Sequence, residues 1–414
     1  MSRAIKNKIK TYFTLYLGKE TDGEFPEGTT LQPMRVNQSS MSVAGTAEEI
    51  TSDIVLPESR IASTPEIGTE SNSGDIETEW NIDEQDDLFA AVFCGKWSGS
   101  GTKKTLTLGD EMNSFSLLLK WSQAPQAWQL YKNEFVNQLT MDFQTDQFVK
   151  LTWNVQGANN PRQEFTDPLA SKNPVYADAL RTKSFLTKEG WLKIGDTADS
   201  LAALRQCPSM SITINNNLER TPALFETESI ENALGNFDVT GTLDVYNVDD
   251  IGNELYNDAV SGKDKVIQLR VQRNVAGKTT SYTLTFDAHL NAPSRSRNGN
   301  KFQFSIPFTM NDSKNLLLEK NVVSETADTP VFKNKLTART YASDDSPDSL
   351  DGTATVKDGG SVTYSWSDGS TVVSTAAVYT PDLSKGTKTY TVTATNTING
   401  VTAKASQSAL ITVS

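Results

Sequence analysis

A chain of 414 residues, 37% of them hydrophobic, can bury two or three cores and is too varied in composition to be disordered throughout. Its formal net charge of −13 argues against a phosphate-binding face, which would need a surplus of Lys and Arg. No run of apolar residues is long enough to cross a bilayer, and the basic N-terminal stretch lacks the apolar block of a secretory signal, so no membrane insertion is expected.

In chain order, the first strand is expected within Met34 to Val43, followed by a long polar loop, Ala44 to Ser73, rich in Ser, Thr and Glu. The stretch Gly74 to Ile82 then alternates strictly: Asp75, Glu77, Glu79 and Asn81 fall on one face, Ile76, Thr78, Trp80 and Ile82 on the other. A helix over Asp83 to Phe93, closed by Gly95, precedes strands at Phe115 to Trp121, Phe135 to Phe143 and Phe148 to Val155. After a proline-punctuated stretch from Asn160 to Ala203, the order repeats. A strand at Ser209 to Ile214 leads through the loop Asn215 to Leu234 to an alternating strand, Gly235 to Val245. There Asp238, Thr240, Thr242 and Asp244 oppose Phe237, Val239, Leu243 and Val245. A helix over Val248 to Val260, closed by Gly262, and strands at Val266 to Val271, Tyr282 to His289 and Phe302 to Met310 complete the second copy.

The shared order of strand, strand, helix and three strands is a duplication, and two diverged copies in one polypeptide suit a ring better than a catalytic cleft. Residues 1–159 and 204–320 are expected as the two domains, with 160–203 as connector and 321–331 as a polar linker. Residues 332–414 change to Ser, Thr, Asp and Gly with short Val-rich strands, and their seven basic and seven acidic residues leave the negative excess to the duplicated part. In this last module Val362 to Trp366 alternates up to a Ser-Asp-Gly turn, and Tyr390 to Ala394 alternates again. The spacing resembles immunoglobulin-like sandwiches without their cysteine pair, so Trp366, Tyr390 and Val392 are expected in its core.

The side chains that carry chemistry are sparse. With one histidine, His289, in a strand-like run, neither a Ser-His-Asp or Cys-His arrangement nor a multi-histidine metal site is expected. Cys94 and Cys207 occupy non-equivalent places in the two copies and are expected as reduced thiols. Gly99 to Thr105 has the wrong spacing for a phosphate loop and reads as a hairpin turn. The Asp-rich runs at 83–87, 249–250 and 344–351 lack the glycine and terminal glutamate of a calcium loop. The sequence therefore predicts no enzyme activity, cofactor or metal.

The duplicated part resembles the tail tube proteins of long-tailed bacteriophages of the siphovirus type. The residues that carry the resemblance are Met34 to Val43, Glu48 to Ser52, Pro57 to Arg60, the acidic strand Gly74 to Ile82 and the segment Asp86 to Trp97. It implies a mainly β fold: two tandem tail-tube-type β-sandwich or barrel domains, each with one short helix, followed by an immunoglobulin-like sandwich. It also implies a structural virion protein, made in the host bacterial cytoplasm, that self-assembles into stacked rings. The implied partners are further copies of the chain, a tape measure protein and other tail proteins, with DNA passing through the bore without specific binding.

The resemblance further implies about four strands per domain and six domains per ring, which would give about 24 strands and a backbone diameter of roughly 48 Å, wide enough for a duplex of about 20 Å. Three chains would then close a ring with pseudo-sixfold appearance; a plain hexamer is the competing arrangement. Asp75, Glu77, Glu79, Asp238, Thr240, Thr242 and Asp244 are the candidates for the lumen, the alternative being an ordinary solvent-facing or inter-ring surface. The long first-copy loop is expected to order on a neighbouring ring or to stay disordered, and the basic residues Arg3, Lys6, Lys8 and Lys10 to dock on an acidic neighbour or to fray. A monomeric β adhesin or carbohydrate-binding surface protein is the alternative function.

Overall fold

A computed structural model describes residues 13–19, 25–51, 65–121, 127–157, 159–180, 182–226, 231–247, 250–298, 301–324, 327–357, 360–369, 371–398 and 401–414. The basic N-terminal residues, residues 52–64 of the long first-copy loop (Pro57 to Arg60 among them), Val248 and Asp249 lie outside the described residues. The chain divides into two compact units, one of which holds both copies up to Lys320 and the other the chain from Asn321 onward together with residues 100–103 and 274–280.

The first copy contains β1 (Phe13–Lys19), β2 (Thr30–Met34), β3 (Ala44–Ile50), β4 (Glu66–Glu79), α1 (Asp86–Val92), β5 (Lys103–Thr107), β6 (Phe115–Trp121), β7 (Ala127–Gln144) and β8 (Lys150–Gly157). The following stretch carries β9 (Val175–Tyr176), β10 (Trp191–Gly195) and β11 (Ala202–Ala203). The second copy contains β12 (Ser209–Asn215), β13 (Glu219–Thr221), β14 (Glu231–Ala233), β15 (Asp238–Tyr246), α2 (Asp250–Val260), β16 (Asp264–Val275), β17 (Lys278–Leu290), β18 (Ser294–Asn298) and β19 (Lys301–Ser324).

The ladders reproduce the duplication. In the first copy β3 pairs with β4, β4 with β8 and β8 with β7. In the second, β12 pairs with β15, β15 with β19 and β19 with β18. An antiparallel β7–β12 ladder joins the two sets, so eight strands run in the order β3–β4–β8–β7–β12–β15–β19–β18, four from each copy. Outside this run the copies again correspond: β6 pairs with both β7 and β1, and β16 with both β17 and β10.

Several expectations shift. The first-copy counterpart of β12 is β3, Ala44–Ile50, within the stretch expected as loop, whereas Arg35 to Asn37 and Met41 to Val43 have no regular structure. The loop Asn215 to Leu234 carries the β13–β14 hairpin. Cys94, with φ 47°, rather than Gly95 turns the chain out of α1, while Gly262, with φ 62°, does so after α2. The connector is not a plain loop: β10 extends the second-copy sheet, and Phe185 donates its N–H to the Trp80 carbonyl at 2.8 Å. β19 continues through Lys320 to Ser324, into the stretch expected as linker.

The second unit contains β20 (Val331–Phe332), β21 (Arg339–Tyr341), β22 (Leu350–Asp351), β23 (Ala354–Thr355), β24 (Ser361–Ser367), β25 (Val372–Ser374), β26 (Val378–Tyr379), β27 (Lys388–Ile398) and β28 (Val401–Val413). One five-stranded sheet, β21–β28–β27–β24–β25, and two short pairs enclose a core in which Trp366, Tyr390 and Val392 are buried with Leu350 and Ile411.

Gly241 marks a close approach within the eight-stranded run. It pairs with Phe308 and Ile212, and a Cβ there would lie 2.3 Å from both the Phe308 ring and the Ser211 carbonyl oxygen. Because the carbonyl is backbone and cannot swing aside, Gly241→Ala is expected to cost about 1–3 kcal/mol, read as a lowered midpoint in denaturant unfolding.

Candidate functional site

The alternation in β4 and β15 becomes meaningful through register. Antiparallel partners point their side chains to the same face, so a polar residue opposite a polar residue builds a row. Asp75, Asn154, Gln138, Asn215 and Asp238 form one such row across β4, β8, β7, β12 and β15. Glu77, Thr152, Thr140, Thr213, Thr240 and Thr309 form the next, and Glu79, Lys150, Asp142, Ser211 and Thr242 a third. Gln144, Ser209, Asp244 and Ser305 make a fourth. All seven sequence-predicted candidates of the two strands therefore lie on one face of one sheet, half-buried or exposed.

Side chains knit these rows together. Asn154 Nδ2 donates to Asp75 Oδ1 at 2.8 Å, the Thr140 and Thr213 hydroxyls lie 3.3 Å apart across the junction between copies, and Ser209 donates to Asp244 Oδ2 at 2.6 Å. Six carboxylates (Asp75, Glu77, Glu79, Asp142, Asp238, Asp244) share these rows with one cation, Lys150, whose ammonium is 3.9 Å from Glu77. Such a face repels a polyanion and offers it hydroxyls and amides without a phosphate clamp. Asn81, expected on the same face, is instead buried at 2% exposure and accepts a hydrogen bond from Ser184, because β4 ends at Glu79 and the connector covers the residues beyond that end.

The opposite face is apolar and carries both helices. Phe89 of α1 stacks edge-on against Trp153 of β8 with ring centroids 5.2 Å apart, and Tyr256 of α2 lies 4.5 Å from Phe304 of β19. Around Trp80 the copies share one core. Tyr282 of β17 lies 5.3 Å from the Trp80 ring, and Phe185 of the connector 5.9 Å from it. The Tyr282 hydroxyl donates to Asp86 Oδ1 at 2.6 Å, and Lys320, with a 7% exposed side chain, pairs with Asp83 and Asp86. Burial, reinforced by the two carboxylates, holds the Tyr282 phenol well above its usual pKa, so it stays a neutral donor. Sequence reasoning missed Phe185, Tyr282 and Lys320 as partners of Trp80 and Asp86, since nothing local ties residues so distant in the chain.

No reactive constellation emerges among the described residues. No group of three or more His, Cys, Asp or Glu side chains is placed to hold a metal. His289 Nδ1 lies 2.8 Å from Asp264 Oδ1, and both side chains are exposed. Both cysteines are free thiols; burial pushes Cys94 up to about 11 and Cys207 up to about 12, which suppresses their thiolates.

A family model described as phage tail tube protein matches residues 14–310, both copies and the connector between them. The chain belongs to the phage tail tube protein family. As a tail tube protein it is a structural component of the virion tail, one of many copies stacked into a tube, and its family is not one of enzymes. The match ends before the last unit, and no curated protein matches the chain. In this tail tube protein the shared core should depend on Lys320: Lys320→Met leaves Asp86 with the Tyr282 hydroxyl alone. Because Asp83 is half-exposed the expected loss is about 1–3 kcal/mol rather than that of a fully buried pair, measured by denaturant unfolding.

Proposed function

We propose that three copies of this tail tube protein close into a ring of pseudo-sixfold appearance, with the polar rows turned to the bore. The observation that carries this reading is the eight-stranded run with four strands from each copy in the same order, joined by the β7–β12 ladder. By that order the counterpart of β12 is β3, and the counterpart of the C-terminal part of β7 is β18. The edge of β18 away from β19 and the edge of β3 away from β4 are the two places where the next chain would repeat the internal junction. Three chains then supply about 24 strands, a closed sheet wide enough for a DNA duplex. Residues 1–159 and 204–320 act as the two tube domains and 160–203 as the connector.

The tube belongs to a long, flexible siphovirus-type tail, assembles from chains made in the host cytoplasm, surrounds the tape measure protein and conducts the genome into the host. Residues 332–414 form an immunoglobulin-like module. Its support is the buried Trp366, whose indole N–H donates to the Ala376 carbonyl at 2.9 Å, and the Tyr390 hydroxyl reaching back to the Asp382 carbonyl at 3.5 Å, as in a tyrosine corner.

Mass photometry of assembled rings should give the mass of three chains; six chains would overturn the reading in favour of a plain hexamer. Consecutive N–H groups along a strand point to opposite edges, so of prolines placed singly at Arg295 and at Ser296 one removes only an outward donor. One of the two variants should lose rings while its unfolding midpoint stays near that of the unmodified chain. Retention of rings by both would remove β18 from the junction.

The bore assignment is tested separately. Tubes carrying Asp75→Lys, Glu77→Lys and Asp238→Lys should retain labelled duplex DNA on sedimentation at low salt and release it as salt rises, while unmodified tubes retain none. Equal behaviour of the two would place the rows elsewhere than the bore.

A further inference from the structure

The strands β12 and β15 end differently. At the Asn215 and Asp238 end they are bridged by the β13–β14 hairpin, a small two-stranded sheet of its own. Its tip exposes Leu224 at 86% and Phe225 at 102%, and Phe225 sits at φ 71°, a left-handed conformation that a bulky aromatic residue rarely adopts. A fully exposed Leu-Phe pair held outward on a strained backbone is costly unless something covers it. Glu226 comes next in the chain and is also exposed.

At the opposite end of β12, about 20 Å away along the strand by its rise per residue, a cavity of about 500 Å³ opens beside Ser209. Trp191, Leu204 and Leu269 give it apolar walls, and Lys188, Arg205 and Arg270 outnumber its one acid, Asp146. Arg270 is held in place there by its Nη2, which donates to Ser281 Oγ at 3.0 Å. An apolar cavity of this size with a basic rim suits a small apolar plug bearing a carboxylate.

We propose that the Leu224–Phe225 tip of one copy docks into this cavity on a copy in the adjacent ring, with Glu226 facing Lys188 and Arg205. The inference rests on the ring reading above and adds the contact that stacks one ring on the next. Plug and socket occupy opposite ends of the same strands, so the contact is heterologous. Repeated along the tube axis it does not close on itself and generates an open stack. The opposite charges fix which end meets which, and the buried Leu and Phe supply the affinity.

The test uses full-length protein and two surface variants. Leu224→Ser with Phe225→Ser removes the plug; Lys188→Glu with Arg205→Glu, both at exposed residues, reverses the socket rim. Each variant alone should keep the unfolding midpoint and the three-chain ring mass, yet show at least about tenfold fewer tubes in negative-stain images. Mixed together, the two sets of rings should form pairs and stop there, since the intact plugs of one meet only the intact sockets of the other. Normal tubes from either variant, or mixtures that remain single rings, would overturn the stacking contact while leaving the ring intact. Loss of the ring mass itself in both variants would overturn it too, by making these residues part of the ring junction. Absence of rings from the unmodified protein would instead sink the ring reading.

Discussion

Seven consecutive residue pairs, from Gln138 opposite Asn215 to Gln144 opposite Ser209, bond the end of the first copy to the start of the second. Side chains in a strand alternate between faces, so a slip of one residue here would turn every polar side chain of one copy toward the apolar side of the other. The register prevents that: Thr140 meets Thr213 on one face while Met141 meets Ile212 on the other. Because β4 and β15 are registered to this ladder through β8 and directly, the acidic strands of both copies share a face only while it holds.

The two faces of this sheet divide the work. On the apolar face Trp153, Leu139, Ile212, Ile214, Val239 and Phe308 are buried and the helices pack, which is where folding free energy resides. The polar face contributes little to packing and is free to carry a charge pattern. Six carboxylates against one lysine keep that pattern repulsive toward phosphates. Packing and surface charge are thus separable by side-chain parity along the same strands. The Trp80 cluster adds what the ladder alone lacks, a packed contact among both copies and the connector, so that the junction resists hinging.

Much of the local structure was legible in sequence because its cause is local. The alternation from Gly74 to Glu79 and from Asp238 to Val245, the two helices and the burial of Trp366, Tyr390 and Val392 follow from side-chain period and residue type. β3 was not legible: Ala-Gly-Thr-Ala-Glu-Glu-Ile has weak strand propensity and becomes a strand because β4 offers it a ladder. The Asn160 to Ala203 stretch reads as a connector from its prolines, yet Phe185 is wholly buried because Trp80 and Val149 bracket its backbone.

By itself the sequence determined the duplication, the mainly β class, the polarity of each strand and the membership in a tail tube family, since these depend on order and period along the chain. Only the tertiary structure decided which strands are neighbours, that both copies build one sheet, and that Asp75 and Asp238 stand in a single row. Hydrogen bonding between strands distant in sequence leaves no periodic trace in either partner. Parity can be read one strand at a time, but register exists only between two.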